Sequence, residues 1–147
     1  MKHFEQIKFI LFTIILIFCF SGCELFVIQG KKIVIEEQSA YTQKTPVGVV
    51  MIFLNELGND NILAASELLI KPDGKLLNAA EKYDATSELS RMRRFMEGKK
   101  IIHQKLDTVA GVINITLELD YKSKAKFSTV EKDHLFYILN YSKESSD

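Results

Sequence analysis

Phe9 to Phe20 reads FILFTIILIFCF, twelve residues of which only Thr13 is not apolar. Five of the ten Phe fall in the first twenty residues. Ahead of the run Lys2 and Lys8 stand against Glu5, and behind it come Ser21, Gly22 and Cys23. A basic start, an apolar centre and a small-residue exit together read as a cleaved secretory signal. As a helix the run is about 18 Å long, short against a hydrocarbon core about 30 Å thick. The other reading is an uncleaved anchor from Phe9 to Ile28, which Ser21, Gly22 and Glu24 would interrupt. Either way the most apolar block of the chain is withdrawn from the fold, and the domain must be built from residues beyond Cys23.

Phe20-Ser21-Gly22-Cys23 resembles the lipobox of bacterial lipoproteins. The resemblance implies that the Cys23 thiol receives a diacylglyceryl group, that a peptidase cuts before it, and that the new amine is acylated. It implies a membrane partner reached through lipid, with the domain on the extracytoplasmic side of the cell membrane or outer membrane. Two or three acyl chains anchor stably where one is marginal. Cleavage removes 22 of the 147 residues and leaves 125; losing Lys2, Lys8 and Glu5 takes the 19 basic and 19 acidic side chains to 17 and 18. Cys19 is lost as well, so a lipidated Cys23 leaves no disulfide, no thiol nucleophile and no Cys metal site. Stability then rests on the apolar core, in a compartment where disulfides were available.

The length suits one domain. At 47% hydrophobic and 26% charged, with seven Gly and two Pro, the chain is neither disordered nor collagen-like. Its zero formal charge gives no electrostatic reason to expect nucleic acid. Residues 23–44 read as a lipidated tether, with Lys31 to Glu37 β-branched enough for a short strand. The domain is expected over 45–141, and Ser142 to Asp147 as a frayed polar tail.

Thr45 can cap a helix that Pro46 opens. Val47, Val50, Met51, Leu54 and Leu57 then share one face, with Phe53 beside it, and Gly58-Asn59 stops it. Asp60 can cap a second helix carrying Ile62, Leu63, Ala65, Leu69 and Ile70 inward. Pro72-Asp73-Gly74 is a turn. Leu76 to Tyr83 forms a short helical piece, and Ser87 to Glu97 a further helix with Leu89, Met92, Phe95 and Met96 inward and Gly98 as its stop. Beyond Gly98 the period changes. Lys100 to Thr108 is a strand broken near Gly111. Ile113, Ile115, Leu117, Leu119 and Tyr121 alternate with polar residues, the pattern of a half-buried strand. Lys122 to Ala125 turns the chain, Lys126 to Glu131 returns, and Lys132-Asp133 turns again. His134 to Tyr141 forms the last strand, with Leu135, Tyr137, Leu139 and Tyr141 on one face and Phe136 and Ile138 on the other.

Helices followed by an antiparallel meander predict an α+β domain. Thr45-Pro46 opening the first helix, the LNELGNDNILAASELL helix pair and the final two long strands resemble the nuclear-transport-factor-2-like (cystatin-like) superfamily, and within it small exported lipoproteins with a lumazine-binding-like domain. That resemblance implies helices packed into a strongly curved, cone-like sheet over Thr45 to Tyr141.

Catalytic motifs are missing: no phosphate-cradling Gly-rich loop, no G-x-S-x-G and no H-E-x-x-H. No cofactor and no metal is expected. His103 and His134 read as surface or rim residues. Glu118 and Asp120 share a strand face and could form a carboxylate pair, though solvent exposure fits them better. Arg91, Arg93, Arg94, Lys99 and Lys100 gather at one helix end, where they complement the helix dipole or meet anionic headgroups. Lys122, Lys124 and Lys126 serve either use. Phe95, Tyr83, Tyr121, Tyr137 and Tyr141 are the candidates to line a pocket, being apolar with, for Tyr, a polar tip. Against them stands plain core packing. The function expected is a non-enzymatic binding or accessory module of the cell envelope, with an envelope protein or small ligand as partner. The alternatives are an isomerase- or dehydratase-type enzyme using a cone pocket, and an assembly accessory pairing through the open sheet.

Overall fold

The computed structural model describes residues 41–145. The expected signal peptide, Cys23, the tether up to residue 40 and the last two residues lie outside the described residues, as does the side chain of Tyr121. Among the described residues three helices, α1 (Pro46–Gly58), α2 (Ile62–Glu67) and α3 (Ala79–Met96), precede four strands, β1 (Ile101–Val109), β2 (Val112–Leu119), β3 (Lys124–Lys132) and β4 (Leu135–Glu144). The strands form one antiparallel sheet in the order β1-β2-β3-β4. The α+β expectation is met: three helices packed against a four-stranded meander.

Helices α1 and α3 have local causes. The Thr45 hydroxyl accepts the Gly48 N–H at 3.0 Å, Pro46 follows at the first helical position, and α1 buries Val49, Val50, Met51, Phe53, Leu54 and Leu57. Helix α2 lasts only six residues, and its cap residue is Asn61, not Asp60, which takes a left-handed φ of 62°. Leu63 points to solvent, while Leu69 and Ile70 leave the helix to bridge Ile138 and Leu76. The two expected pieces at 76–83 and 87–97 are one helix. Asn78 and Glu81 form a reciprocal box in which the Asn78 side chain accepts the Glu81 N–H at 3.0 Å and Glu81 accepts the Asn78 N–H at 2.8 Å. That box satisfies two of the orphan donors at a helix start, so α3 begins at Ala79. Gly98, with φ 71°, follows its end.

Two hairpins carry the sheet. Both turn on two residues with positive φ, Ala110-Gly111 and Asp133-His134, the backbone that matches strand twist in tight hairpins. The second turn is therefore one residue later than expected. Between β2 and β3 a short 3-10 turn at Asp120–Lys122 reverses the chain, and Lys124 already lies in β3. The expected alternation in β2 holds for Ile115, Leu117 and Leu119, all buried.

The faces of β4 differ from expectation. The register passes from Ser128↔Asn140 to Thr129↔Ile138, so Leu139 is an extra residue. A bulge of this kind switches the side-chain parity. Ile138 is buried and Tyr141 packs on the core from the same face, alongside Phe136, in place of a Leu135-Tyr137-Leu139-Tyr141 stripe. The strand also runs on through Ser142, Lys143 and Glu144, which pair with Lys126, Ala125 and Lys124, so the tail is shorter than expected. At the other end the tether is already docked by residue 41. Tyr41 packs on the core, and the Gln43 carbonyl accepts the Phe136 N–H at 2.7 Å.

The core fills the space between α1 and the sheet. Phe53 meets Phe127 edge-on at 6.0 Å between ring centroids and Tyr141 at 5.7 Å, with Leu54, Leu57, Leu89, Met92 and Met96 around them. Its few buried polar groups are satisfied: the Ser66 hydroxyl donates to the Leu63 carbonyl at 2.6 Å, and Thr129 to that of Ile113 at 3.1 Å.

Candidate functional site

Openings lie beside the helices. One cleft of about 530 Å³ runs between α1, the α2 end and the Leu76-Leu77 segment, with Ile52, Glu56, Leu68, Leu77 and Tyr137 in its wall. A second, about 670 Å³, lies between the start of α2 and the start of α3, with Asn61, Leu63, Ala79, Tyr83 and Thr86. Glu67 and Lys82 line both. Lys82 Nζ lies 3.4 Å from Glu67 Oε1, so this ion pair forms the ridge between the clefts.

The ridge and the walls are held by local chemistry. The box at Asn78 and Glu81 sets where α3 starts, and so where Lys82 and Tyr83 project. Glu81 also takes Lys71 at 3.1 Å, tying the Pro72-Asp73-Gly74 turn to the helix. The Asn78 backbone N–H and the Lys71 ammonium hold the Glu81 carboxyl below its ordinary range. The Asp73 carboxyl is likewise lowered, first by accepting the Lys75 N–H at 3.0 Å. From the sheet, Lys132 Nζ reaches the Gly74 carbonyl at 2.8 Å. The segment carrying Leu76 and Leu77 is thus fixed at both ends.

Three of the six exposed large hydrophobic residues among those described, Leu63, Leu76 and Tyr83, line these clefts; Tyr83 is 81% exposed. The other three, Ile102, Leu106 and Val109, all lie on β1. Exposed apolar groups gathered in this way mark binding surfaces more often than scattered ones do. With a charged ridge between apolar walls, the clefts suit a partner that is apolar in part and polar in part.

The aromatic candidates do not share one pocket. Tyr137 lines the first cleft and Tyr83 the second. Tyr141 stacks on Phe53 in the core, where burial and then the Glu88 charge raise its phenol pKa. Phe95 is partly buried beneath Lys99, whose Nζ sits 3.5 Å from the ring centroid, with Lys143 at 5.9 Å. Burial depresses the Lys99 pKa, Asp120 opposes that and Lys143 adds to it.

The charged candidates are dispersed. Arg91 pairs with Glu88 at 2.6 Å and Arg93 with Asp60, while Lys100 presents its backbone N–H to Asp120 at 3.1 Å. Arg93 and Arg94 occupy the last turn of α3, favourable to the helix dipole. Lys124 pairs with Glu118 at 3.2 Å and Lys126 with Glu144 at 2.6 Å. Glu118 and Asp120 therefore answer to different partners and do not act as a carboxylate pair. His103 is exposed on β1; His134 is exposed in the turn before β4, 3.8 Å from Glu131. Among the described residues no group of three His, Cys, Asp or Glu could hold a metal ion, and no helix is long and apolar enough to cross a membrane.

Reading the sequence missed Glu67, Lys82, Ile52 and Leu77. Fifteen residues separate the ion-pair partners, and no periodic pattern joins them. The nearest legible signal was Asn78-x-x-Glu81, the helix-start signature that aims Lys82. Comparison with protein-family models, curated proteins and solved structures finds no match.

Proposed function

We propose that the protein is a bacterial lipoprotein, acylated on Cys23, whose exported domain binds an amphipathic ligand or envelope protein segment in the clefts flanking Lys82–Glu67, without turnover. The gathering of Leu63, Leu76 and Tyr83 around those clefts carries the binding reading. The basic start, apolar run and Phe20-Ser21-Gly22-Cys23 support the anchor. Helices before a four-stranded meander support kinship with the nuclear-transport-factor-2-like superfamily, with a cone-like curved sheet. With Tyr41 docked, the tether is the 17 residues Glu24 to Ala40, which reach at most about 60 Å from the bilayer.

Metabolic labelling with an alkyne fatty acid should mark the wild type and not Cys23→Ser; equal labelling of both would end the lipoprotein reading. Native mass spectrometry of the protein from its own host should show a bound species that Leu76→Asp and Tyr83→Ala each release. Retention of that species by both folded variants would place binding elsewhere. Ala substitutions of His103, His134, Glu118 or Asp120 should leave binding intact.

A further inference from the structure

The two edges of the sheet end differently. On β4 the outward backbone is used: Phe136 N–H donates to Gln43 O at 2.7 Å, Ile138 N–H to Leu68 O at 2.8 Å, and Ile138 O accepts Ile70 N–H at 2.9 Å. These positions are set by the two-residue turn. Lys132↔Leu135 closes that hairpin, so the odd residues Leu135 and Tyr137 bond β3 and the even ones face outward. The same rule applies to β1. Val109↔Val112 closes its hairpin, so His103, Lys105 and Asp107 bond β2, and the backbone groups of Gln104, Leu106 and Thr108 face outward. Among the described residues no backbone group pairs with them. Every residue from Ile102 to Val109 is exposed, and Ile102, Leu106 and Val109 are apolar. A long, uncovered, apolar edge is a template for another strand.

Side-chain charge selects the occupant. An antiparallel pairing of β1 with itself about a two-fold axis at Leu106 places Lys105 opposite Asp107 of the second copy and Asp107 opposite its Lys105. It also makes Leu106 and Gln104–Thr108 the hydrogen-bonded pairs, which the outward parity requires. The neighbouring two-fold registers, centred on Lys105 or Asp107, oppose like charges, which destabilises a strand pair. Neither Lys105 nor Asp107 belongs to an ion pair within the described residues. Leu106 lies opposite buried Ile115 on β2. The two Leu106 side chains would therefore continue the helix-bearing face of one sheet into the other.

We infer that β1 is a self-association edge: two copies of this chain join antiparallel through β1, in register at Leu106, to form a continuous eight-stranded sheet. The reciprocal symmetry is that of an isologous two-fold interface.

The test is the oligomeric state of the full-length chain in detergent, read by light scattering or sedimentation over a hundred-fold concentration range. The wild type should be dimeric at the upper end. Lys105→Asp and Asp107→Lys should each weaken association at least ten-fold, and the double exchange Lys105→Asp/Asp107→Lys should restore it. Leu106→Pro removes an outward N–H that β2 does not use, and should abolish association while circular dichroism shows the fold retained. A monomeric wild type overturns the inference, as does association that ignores the single reversals or a double exchange that fails to restore it. Hydrogen exchange separates the remaining occupant. Protection of the Gln104, Leu106 and Thr108 amides should rise with protein concentration. Protection independent of concentration would assign the edge to a strand of the same chain, such as the β-branched segment Lys31 to Glu37, and would also overturn the inference.

Discussion

The hairpins β1–β2 and β3–β4 are built from similar material, yet their first strands meet opposite fates. Each closes on two residues in the left-handed region, and each strand is eight to ten residues long. Yet β3 buries Ala125, Phe127 and Thr129, whereas β1 buries nothing. Helix α1 packs on β2, β3 and β4, and the segments before α1 and after α2 close the outer edge of β4. Strand propensity thus decides that a segment pairs, and the arrival of the helices decides whether it is buried. The uncovered strand β1 keeps its apolar residues available, and β2, β3 and β4, packed under α1, supply the stable frame.

The largest effect that tests this contrast lies in the core. Phe53→Ala or Phe127→Ala should each cost about 3–5 kcal/mol, and Leu54→Ala or Leu117→Ala about 2–5 kcal/mol, measured by denaturant unfolding. Ile102→Thr on β1 should change the stability of the monomer by less than about 0.5 kcal/mol. Comparable losses at Phe127 and Ile102 would erase the distinction between β3 and β1.

One substitution made in both regions sharpens it. A methyl group on Gly48 would run into the Thr42 carbonyl and the Thr45 hydroxyl, the contacts that seat the start of α1. Overpacking there should cost about 1–3 kcal/mol, despite the better helix propensity of Ala. At Gly111 the same methyl meets nothing within 4 Å, but φ is +80°. Gly111→Ala should cost about 1 kcal/mol through backbone conformation alone, and it should raise amide exchange in β1 while leaving α1 unchanged. Uniform loss of protection at both sites would mean the two regions open together.

The smallest effect concerns the cleft wall. The Glu81 carboxyl is lowered in the folded protein, first by the Asn78 N–H and then by Lys71. For a lowered acid the unfolded chain binds the proton first. Its stabilisation is therefore complete above the ordinary value of 4.5 and disappears as pH falls through the folded value. Glu81→Gln keeps a box acceptor and should flatten the slope of stability against pH below 4.5. Asn78→Ala removes the box itself and should cost about 1 kcal/mol at neutral pH. An unchanged acid slope in Glu81→Gln would show that other carboxyls set it.

Much of this architecture was legible in advance because its causes are local. The Thr45-Pro46 start, the stop at Gly98, the turn at Pro72-Asp73-Gly74 and the alternation along β2 depend on residues a few positions apart. The Asn78-x-x-Glu81 signature was equally local, and reading it would have joined the two helical pieces into α3. The clefts were not legible: Glu67 and Lys82 come from different helices, and Tyr137 comes from a strand more than fifty residues further on.

What the sequence determined by itself is the fold class and the place of most elements: helices first, then an antiparallel meander. Periodicity and capping act over three or four residues and need no partner. Only the tertiary structure decided which faces were buried. The extra residue Leu139 reverses the parity of β4, so that Ile138 and Tyr141 both reach the core where alternation separated them. Leu69 and Ile70 follow a helical spacing but serve as an edge cover for β4, because the Ile138 backbone groups required hydrogen-bond partners. Leu63 fits the apolar stripe of α2 and is exposed, because the open cleft between α2 and the start of α3 lies on that side. A pattern shows which side chains can be buried together; burial itself depends on what the rest of the chain brings against them.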